Sequence, residues 1–412
     1  MAKSNRSVLL PTYMRQFSCI GTECEDNCCN ANWTIAIDKK TYNKYRNIKD
    51  KKIAEKILSG IKRNKVNSTE NFYAQITKSS NNGCSLLNEE NLCQIQLQLG
   101  AENLSDVCLV YPRHTNIVDG AYELSGEVSC PEVARLALLN KEGIEFENTE
   151  EPNNNRHIVI KNVGTNNPND IKHYLWPLRI FVIQVLQNRS YSLDERLILL
   201  GFFYRKINEK ISEGKLNEIP SVISSYSEII LDGSLKDNLR SIPSNYEIQV
   251  KLLKEITDKF VIGQDVVSSR YYDCFNDFLK GINLQKDSDF NSVINNYQDA
   301  YKNYYSPFIK EHEYILENYV VNYVFKDLFP VSFINDVFGD YIVLVINYSL
   351  IKLHLIGMAG YHKQLTTDSV IQLIQSLSRL LEHNPLLIKQ LYDLIVKSGF
   401  STLPHMAILL KN

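Results

Sequence analysis

The position of the cysteines is the feature that most constrains this chain. Eight of the nine cysteines lie within the first 130 of 412 residues, and four of them fall within eleven residues. The eight are Cys19, Cys24, Cys28, Cys29, Cys84, Cys93, Cys108 and Cys130. Buried free cysteines do not gather so densely, disulfides suit small secreted scaffolds, and a catalytic thiol pair would account for only two. We therefore predict that these eight thiols are ligands of a metal centre.

The spacing of the cysteines bears on the kind of metal. Structural zinc sites usually show pairs of cysteines two to four residues apart, with a longer spacer between the pairs. The adjacent Cys28 and Cys29 and the long interval from Cys84 to Cys93 do not follow that pattern. Iron–sulfur clusters take four cysteines at more varied spacing, so we predict a four-iron cluster, with zinc as the alternative. Two four-ligand sites are also compatible with eight cysteines, and the sequence alone does not divide them.

The overall charge and hydropathy argue for a soluble protein. A net charge of −2 gives no reason to expect nucleic acid or a membrane as a partner. The first residues lack the apolar core of a signal peptide. The most apolar run, 341–355, is interrupted by three polar residues and is short for a bilayer, so we predict a buried helix there. We therefore expect a cytoplasmic protein.

Composition and periodicity divide the chain into two parts. We predict a cysteine-rich metal or iron–sulfur domain at 1–150, a polar, turn-rich linker at 151–170 and a helical domain at 171–412. The fold class is mainly α, with a few short strands in the N-terminal cysteine-rich module and a helical bundle at the C-terminal end. Apolar residues at steps of three and four predict helices at 176–186, 193–211, 247–260, 271–279, 290–304, 311–325, 338–358, 367–383 and 386–397. We expect Gly357, Gly360 and Asn384-Pro385 to end helices.

A basic segment lies inside the cysteine-rich part. Residues 39–65 contain eleven Lys or Arg and only two acidic residues. Ile53, Ile57 and Ile61 recur every four residues, which predicts a helix with one apolar stripe and a basic outer face. The plain interpretation is a solvated helix face, and docking of an acidic protein or of nucleic acid are the alternatives. The alternating residues 33–37, which begin at Trp33, predict a short strand.

The residues around the cysteines resemble those of a known family. The similar stretches are Pro11-Thr12-Tyr13, Phe17 to Cys29, Cys84 to Gln96, Tyr111-Pro112-Arg113, Leu124 to Leu136 and Leu316 to Tyr319. They resemble the zinc- or iron-chelating CxxCxxCC domain and, more closely, the flagellin lysine-N-methylase branch of that group. The resemblance is dense before residue 136 and sparse after it.

This resemblance implies a protein-lysine N-methyltransferase that acts on flagellin and uses S-adenosylmethionine and an iron–sulfur cluster. The sequence has no Gly-x-Gly-x-x-Gly after a strand and no Cys-x3-Cys-x2-Cys, so the site for S-adenosylmethionine would be atypical. A non-enzymatic metal-chelating carrier or an electron-transfer module are the alternatives.

Three residues other than cysteines are candidates for contacts with the cofactor, whereas no catalytic residue can be named. Arg113 follows Cys108 closely and could grip the carboxylate of S-adenosylmethionine, with a surface ion pair as the alternative. Asn318 and Asn322 lie one turn apart on a predicted helix. A buried amide pair needs partners, which could be neighbouring backbone or a bound cofactor. Cys274 lies among aromatic residues and is predicted to be an ordinary core cysteine.

Overall fold

The structure is a computed structural model that describes residues 5–30, 34–79, 83–153, 155–262, 268–285, 288–332 and 336–412. Helices predominate, and the C-terminal region is helical throughout its described length, which confirms the mainly α class. The strands are β1 (Asn5–Pro11), β2 (Ala36–Ile37), β3 (Ile61–Arg63), β4 (Ala74–Ile76), β5 (Arg113–Val118), β6 (Ala121–Gly126), β7 (Phe146–Pro152) and β8 (Val159–Val163).

The helices before the C-terminal region are short. They are α1 (Lys39–Arg46), α2 (Lys51–Ser59), α3 (Gln94–Leu99), α4 (Asp106–Val110) and α5 (Pro131–Leu138). Those that follow are α6 (Leu175–Leu186), α7 (Leu193–Ser212), α8 (Ile219–Asp232), α9 (Lys236–Arg240), α10 (Tyr246–Ile262), α11 (Ser269–Gly281), α12 (Phe290–Ala300), α13 (Ser306–Lys326), α14 (Val337–His362), α15 (Thr367–Leu381), α16 (Pro385–Lys397) and α17 (Leu403–Leu410).

Every helix predicted beyond residue 170 is present, and α8, α9 and α17 are additional. The π-helical turn Tyr301–Tyr305 joins α12 to α13, so these two helices follow one another without an intervening loop.

A five-stranded sheet has the order β7-β1-β6-β5-β8. β1 pairs antiparallel with β7 and parallel with β6. β5 and β6 form a hairpin around Asp119 and Gly120, which both have positive φ, as a tight two-residue hairpin turn requires. The hairpin returns the chain to the core of the sheet, where Glu123 and Ser125 are buried.

The segment 151–170 contains more regular structure than its composition suggests. β7 extends to Pro152, and β8 pairs in parallel with β5. Both strands lie at the edges of the sheet, where polar side chains are compatible with strand pairing because one side of the strand faces water. The division into domains at this segment stays a prediction.

The region 34–110, which we call the small module, has its own hydrophobic core. Its three-stranded sheet has the order β2-β4-β3 and packs with α1 to α4. The predicted strand at 33–37 is present at its end as β2, whereas Trp33 lies outside the described residues.

The prediction of one basic helix through Ile61 is wrong. Asp38 caps the start of α1 and Asp50 caps the start of α2, so the segment forms two helices. Gly60 ends α2, and Ile61 then begins β3.

The main core joins both ends of the chain. It includes Val8 and Leu10 of β1 together with Leu409 and Leu410 of α17, and α14 is buried along nearly its whole length. This confirms the buried helix predicted at 341–355. Among the described helices, α14 alone is long and apolar enough to cross a membrane, and its apolar stretch is enclosed by the protein.

The expectation that Gly357 and Gly360 end a helix is wrong, because α14 continues through both to His362. The two glycines instead permit a close crossing with α11. A Cβ atom on Gly281 would lie 1.7 Å from the carbonyl oxygen of Gly357, and one on Gly360 would lie 2.9 Å from the carbonyl oxygen of Gly281. Asn384-Pro385 acts as predicted, since α15 ends before it and Asn384 caps α16.

Candidate active site

The cysteines of the N-terminal part lie in two different surroundings. Cys84 belongs to the core of the small module, and Cys29, Cys93 and Cys108 border that core. The backbone N–H of Cys84 donates to the carbonyl oxygen of Cys29 at 2.8 Å, which holds these two segments together. Cys130 instead packs against the main core.

Electrostatic contacts between the thiols agree with this division. Burial, together with the neighbouring thiols of Cys93 and Cys84, raises the pKa of Cys108 to about 12. Burial likewise raises the pKa of Cys130 to about 12, and its thiol neighbours are those of Cys24 and Cys28. The first set is thus Cys29, Cys84, Cys93 and Cys108, and the second set is Cys19, Cys24, Cys28 and Cys130.

Cys28 connects the two sets. Its thiol shares a hydrogen bond with that of Cys29, and this bond, together with the positive charge of Arg379, lowers the pKa of Cys28 to about 7. Burial of Cys28 opposes the shift without cancelling it. A thiol that ionises near neutral pH is a better metal ligand and nucleophile than an ordinary cysteine.

The donor chemistry fits a soft metal or an iron–sulfur cluster, since all eight N-terminal cysteines are free thiols. Within the described ranges, no three His, Cys, Asp or Glu side chains converge closely enough to hold one metal ion. The eight cysteines therefore remain predicted ligands that the fold brings together in two neighbouring sets. Cys274 is buried on α11, far along the chain from both sets, as predicted for a core cysteine.

A buried group of charges lies beside the second set. We call Glu127, Lys326, Asp327, Glu382 and His114 the charge cluster. The Lys326 ammonium nitrogen lies 3.0 Å from an Asp327 carboxylate oxygen, 3.4 Å from one of Glu127 and 3.5 Å from one of Glu382. Nδ1 of His114 lies 2.6 Å from Glu127 on its other side. Three carboxyl groups therefore surround one ammonium group in the protein interior.

The pKa values of the two glutamates in this cluster are shifted in opposite directions. Burial would raise the pKa of Glu127, but the Lys326 charge and the hydrogen bond from His114 outweigh it and hold that pKa well below its usual value. For Glu382, burial and the neighbouring Glu127 raise the pKa well above its usual value, although Lys326 opposes the shift. Of the two carboxylates, that of Glu382 is therefore the stronger base once it is ionised.

His383 connects the charge cluster to solvent. It is exposed, and its Nε2 lies 3.1 Å from the hydroxyl oxygen of Ser129. The backbone N–H of Ser129 donates to Glu382 at 3.3 Å, and the hydroxyl groups of Ser129 and Tyr111 lie 3.2 Å apart. Burial by the surrounding groups lowers the pKa of His383, so its ring is a neutral acceptor near pH 7. A polar path thus leads from the surface to Glu382.

The same path reaches the second cysteine set, because Ser129 directly precedes Cys130. Gln375 of α15 donates to the carbonyl oxygen of Ser129 and to the carboxylate of Asp26, both at 2.8 Å. Arg379, one turn further along α15, pairs with the same Asp26. α15 therefore fixes the loop that carries Cys24 and Cys28 next to the charge cluster.

The predicted amide pair is engaged with the protein itself. Asn318 donates to the carbonyl oxygens of Leu138 and Asn140 at 3.2 and 2.8 Å. Asn322 donates to the carbonyl oxygen of Gly126 at 3.2 Å and accepts a hydrogen bond from Tyr13 at 2.5 Å. The amide nitrogens thus bind neighbouring backbone, one of the two alternatives expected from the sequence, and these bonds tie α13 to the N-terminal part. A role for either residue in cofactor binding stays a prediction.

Arg113 begins β5, and its guanidinium lies 5.1 Å from the centre of the Phe17 ring. Burial lowers its pKa, and the nearby thiol of Cys19 opposes that shift. The side chain is thus close to the second cysteine set, while its contact with S-adenosylmethionine stays a prediction.

The charge cluster was missed by the sequence analysis, because its residues come from four distant segments. Glu127 lies within the family-like stretch 124–136, and Lys326 follows the stretch 320–325, which is apolar except for Asn322. A lysine at the end of such a stretch is the one local sign of the charge cluster, because a charged side chain next to a buried helix face needs partners of opposite charge.

Comparison with known families identifies the class of this protein. Residues 179–409 match the family described as the FliB lysine N-methylase C-terminal domain. The match takes in more than half of the chain, and the protein therefore belongs to the FliB lysine N-methylase family. The resemblance seen in the sequence is confirmed.

Individual relatives agree with this assignment. The chain is 24% identical over 397 residues to the Lysine-N-methylase of Salmonella typhimurium and equally to that of Salmonella choleraesuis, with 92% of either chain covered. It is 31% identical over 159 residues to the Flagellar biosynthetic protein FliU of Salmonella muenchen, which covers 38% of this chain and 89% of that protein. No solved structure matches the chain.

Proposed function

We propose that this protein is an S-adenosylmethionine-dependent protein-lysine N-methyltransferase that acts on flagellin in the cytoplasm and carries a cysteine-ligated iron–sulfur cluster. The names of its relatives support a lysine methylase with a flagellar substrate. The observation that supports the chemistry most is the charge cluster, which lies beside Cys130 and opens to solvent at His383.

Lysine methylation needs a neutral amine, whereas a lysine with a pKa of about 10.4 is almost fully protonated at neutral pH. A carboxyl group near the reacting amine can hold the ammonium and accept its proton. Glu382 is suited to this role because it lies at the inner end of the path from His383 and its raised pKa makes its carboxylate a strong base. It first releases its own proton along that path to solvent, and the ionised carboxylate then accepts the proton of the substrate ammonium. In the methyl transfer itself, the amine lone pair forms the N–C bond, while the electron pair of the breaking C–S bond stays on sulfur.

The eight cysteines are the residues that would hold the cluster. When bound, such a cluster would supply a binding position for the amino-acid end of S-adenosylmethionine and a one-electron donor. Whether or not a cluster takes part, the proton on the substrate lysine must be removed by a residue of the protein. For the carboxylate of S-adenosylmethionine we propose Arg113 as the binding residue.

The test is a methyl-transfer assay on flagellin with protein purified without oxygen. Incubation with S-adenosylmethionine is expected to increase the mass of flagellin in steps of one methyl group and to leave its arginines unmodified. Iron and acid-labile sulfide are measured in the same sample. A matched pair of variants, Cys130→Ser and Cys274→Ser, separates loss of the cluster from general damage, since only the first is expected to lose iron and activity. Flagellin of unchanged mass with folded, iron-loaded protein would rule the proposal out and favour a metal carrier.

A further inference from the structure

The outer face of the small module concentrates positive charge. Residues 39–65 carry eleven Lys or Arg against Asp50 and Glu55, a net charge of +9, whereas the whole chain has −2. All other residues together therefore carry a net charge of −11. A segment of 27 residues is thus opposite in sign to the rest of the protein, and the overall charge conceals this asymmetry.

These charges are available to a partner. Ten of the eleven side chains are exposed, all but Lys39. Within the described chain, Lys39 is also the one of the eleven that has a carboxylate partner, with its ammonium 2.8 Å from Glu70. We call the other ten, Lys40, Lys44, Arg46, Lys49, Lys51, Lys52, Lys56, Lys62, Arg63 and Lys65, the basic surface. On most protein surfaces lysines are interspersed with acidic residues. Ten basic side chains without carboxylate partners among the described residues repel one another, so this surface does not contribute to the stability of the fold.

A groove runs along the basic surface at α1. It is lined by Lys39, Lys40, Asn43, Lys44, Asn47, Glu70 and Asn103. Lys40 and Lys44 are four residues apart, and so are Asn43 and Asn47, so the four side chains form two neighbouring rows on one face of the helix. The rows offer ammonium and amide donors, which are the groups that bind carboxylates and backbone carbonyls of another chain.

The surroundings of the groove indicate a protein partner. Single-stranded nucleic acid binds where aromatic side chains offer free stacking surfaces. Here Tyr45 is buried, and the rings of Tyr42 and Tyr73 pack edge to face with their centres 5.3 Å apart, with the Arg63 guanidinium 4.7 Å from the centre of the Tyr73 ring. A helix that lies on a membrane exposes an apolar face. α1 and α2 instead turn theirs inward, where Tyr45 and Ile57 join the core of the small module. Glu70 within the groove would also repel a continuous row of phosphates.

We propose that the basic surface is the docking surface for an acidic face of the protein whose lysine is methylated. This inference rests on the proposed function and adds to it the way in which the substrate is selected. The inner sides of α1 and α2 pack on the core that Cys29, Cys84, Cys93 and Cys108 border. A substrate held on the outer side is therefore bound to the module whose core contains Cys84 and is bordered by three more of the eight N-terminal cysteines.

Docking of this kind raises the local concentration of the substrate and the rate of encounter, and it weakens with salt. It contributes to KM for a folded acidic protein and leaves the chemical step unaffected. A short neutral peptide with one lysine gains nothing from it.

The experiment compares two triple charge reversals in the full, cluster-loaded chain. Lys40→Glu, Lys44→Glu and Lys52→Glu alter the basic surface. Lys302→Glu, Lys310→Glu and Lys397→Glu change the net charge equally in the helical region, where these three lysines are also exposed and have no carboxylate partner within the described residues. Binding of monomeric flagellin is measured directly, together with KM and kcat for flagellin and for a short neutral lysine peptide. Thermal unfolding shows whether each variant is folded.

The first variant is expected to bind flagellin about tenfold more weakly or worse and to show a matching rise in KM, with kcat unchanged. The second variant and the peptide kinetics are expected to match the parent protein. Flagellin whose carboxyl groups have been amidated should bind both variants and the parent equally weakly.

Unchanged flagellin binding by the first variant would overturn the inference. So would a loss confined to anionic vesicles or to single-stranded nucleic acid, tested in parallel. Because binding is measured apart from turnover, a chain that binds flagellin through this surface without methylating it would refute the proposed function and leave the docking surface standing.

Discussion

The two hydrophobic cores of this protein differ in what can hold them together. The main core includes residues from β1 to α17, and buried ion pairs such as that of Glu317 with Arg196 lie among its apolar side chains. The core of the small module has ten buried side chains in the described chain, including Cys84, and three further cysteines border it. Below about 70–80 residues a single core rarely suffices without disulfides or a metal. We therefore expect the helical region to be held together by packing and buried ion pairs, and the small module to depend on its cysteines.

The largest effect is expected from removal of the metal. Protein stripped of its cluster should lose hydrogen-exchange protection in β2, β4 and α2, while α7 and α14 keep theirs. The physical reason is that the binding free energy of a structural metal is part of the folding free energy of the segment that binds it. Cys108→Ser should reproduce the result, and Cys274→Ser should not. Equal protection of both regions after metal removal would mean that the small module folds without a metal.

Within the helical region, the buried ion pair of Glu317 should matter most. Its carboxylate lies 2.7 Å from Arg196 and 2.9 Å from Arg189, and Glu317 and Arg196 are almost fully buried. Glu317→Gln removes one of the two carboxylates that pair with the buried Arg196, the other being Glu313, and is expected to lower the free energy of unfolding by about 3 kcal/mol. Denaturant titration followed by helical circular dichroism gives the value. The exposed pair of Glu213 provides the control, since Glu213→Gln should have no measurable effect on the same titration. A loss as small as that of the control would show that the main core does not rely on this pair.

Acid should destabilise the helical region through His354. This residue is fully buried on α14, with Nε2 3.1 Å from the Tyr271 hydroxyl, and burial lowers its pKa from 6.5 to about 4. Above pH 6.5 His354 is neutral in both the folded and the unfolded state, so it does not reduce the free energy of unfolding. As the pH falls towards 4 only the unfolded state takes up the proton, and about 3 kcal/mol of stability is lost.

The measurement is the free energy of unfolding at several pH values between 7 and 4, compared with that of His354→Gln. The variant should lose less stability over this interval, because it has no group to titrate there. Parallel curves for the two proteins would show that His354 is not responsible.

The smallest loss of stability is expected from removing one hydrogen bond in the small module. The Tyr45 hydroxyl donates to the carbonyl oxygen of Asn103 at 2.7 Å. Tyr45→Phe removes it and should cost about 1 kcal/mol, seen as faster exchange confined to α1 in cluster-loaded protein. Faster exchange throughout α7 and α14 would mean that the two cores unfold as one unit, contrary to the comparison.

The sequence predicted the elements that depend on local pattern. α6, α7 and α14 follow from apolar residues at helical spacing, because a helix buries a stripe that the chain itself sets out. β7 and β8 were not predicted, because both are polar edge strands whose partners, β1 and β5, lie elsewhere in the chain. Strand pairing of this kind is a property of the fold and leaves little trace in the segment.

The candidate site shows the same limit. The clustering of the cysteines in the sequence predicted that they lie near one another in the fold. Their division into two sets could not be predicted, because it depends on Cys130, which the sheet and α5 bring close to Cys24 and Cys28. The meeting of Glu127, Lys326 and Glu382 depends on how α13 and α15 pack against β6 and its following loop, which no local pattern encodes. Asn318 and Asn322 were recognised as a buried pair, and only the structure supplies their partners.

The central claim is that Glu382 accepts the proton of the substrate lysine beside the cysteines. The most direct measurement is the single-turnover rate of flagellin methylation by Glu382→Gln, which keeps the shape of the side chain and removes its ability to take up a proton. We predict a fall of about a hundredfold or more with iron, sulfide and melting temperature unchanged. A rate equal to that of the parent protein, with the same iron content, would contradict the account.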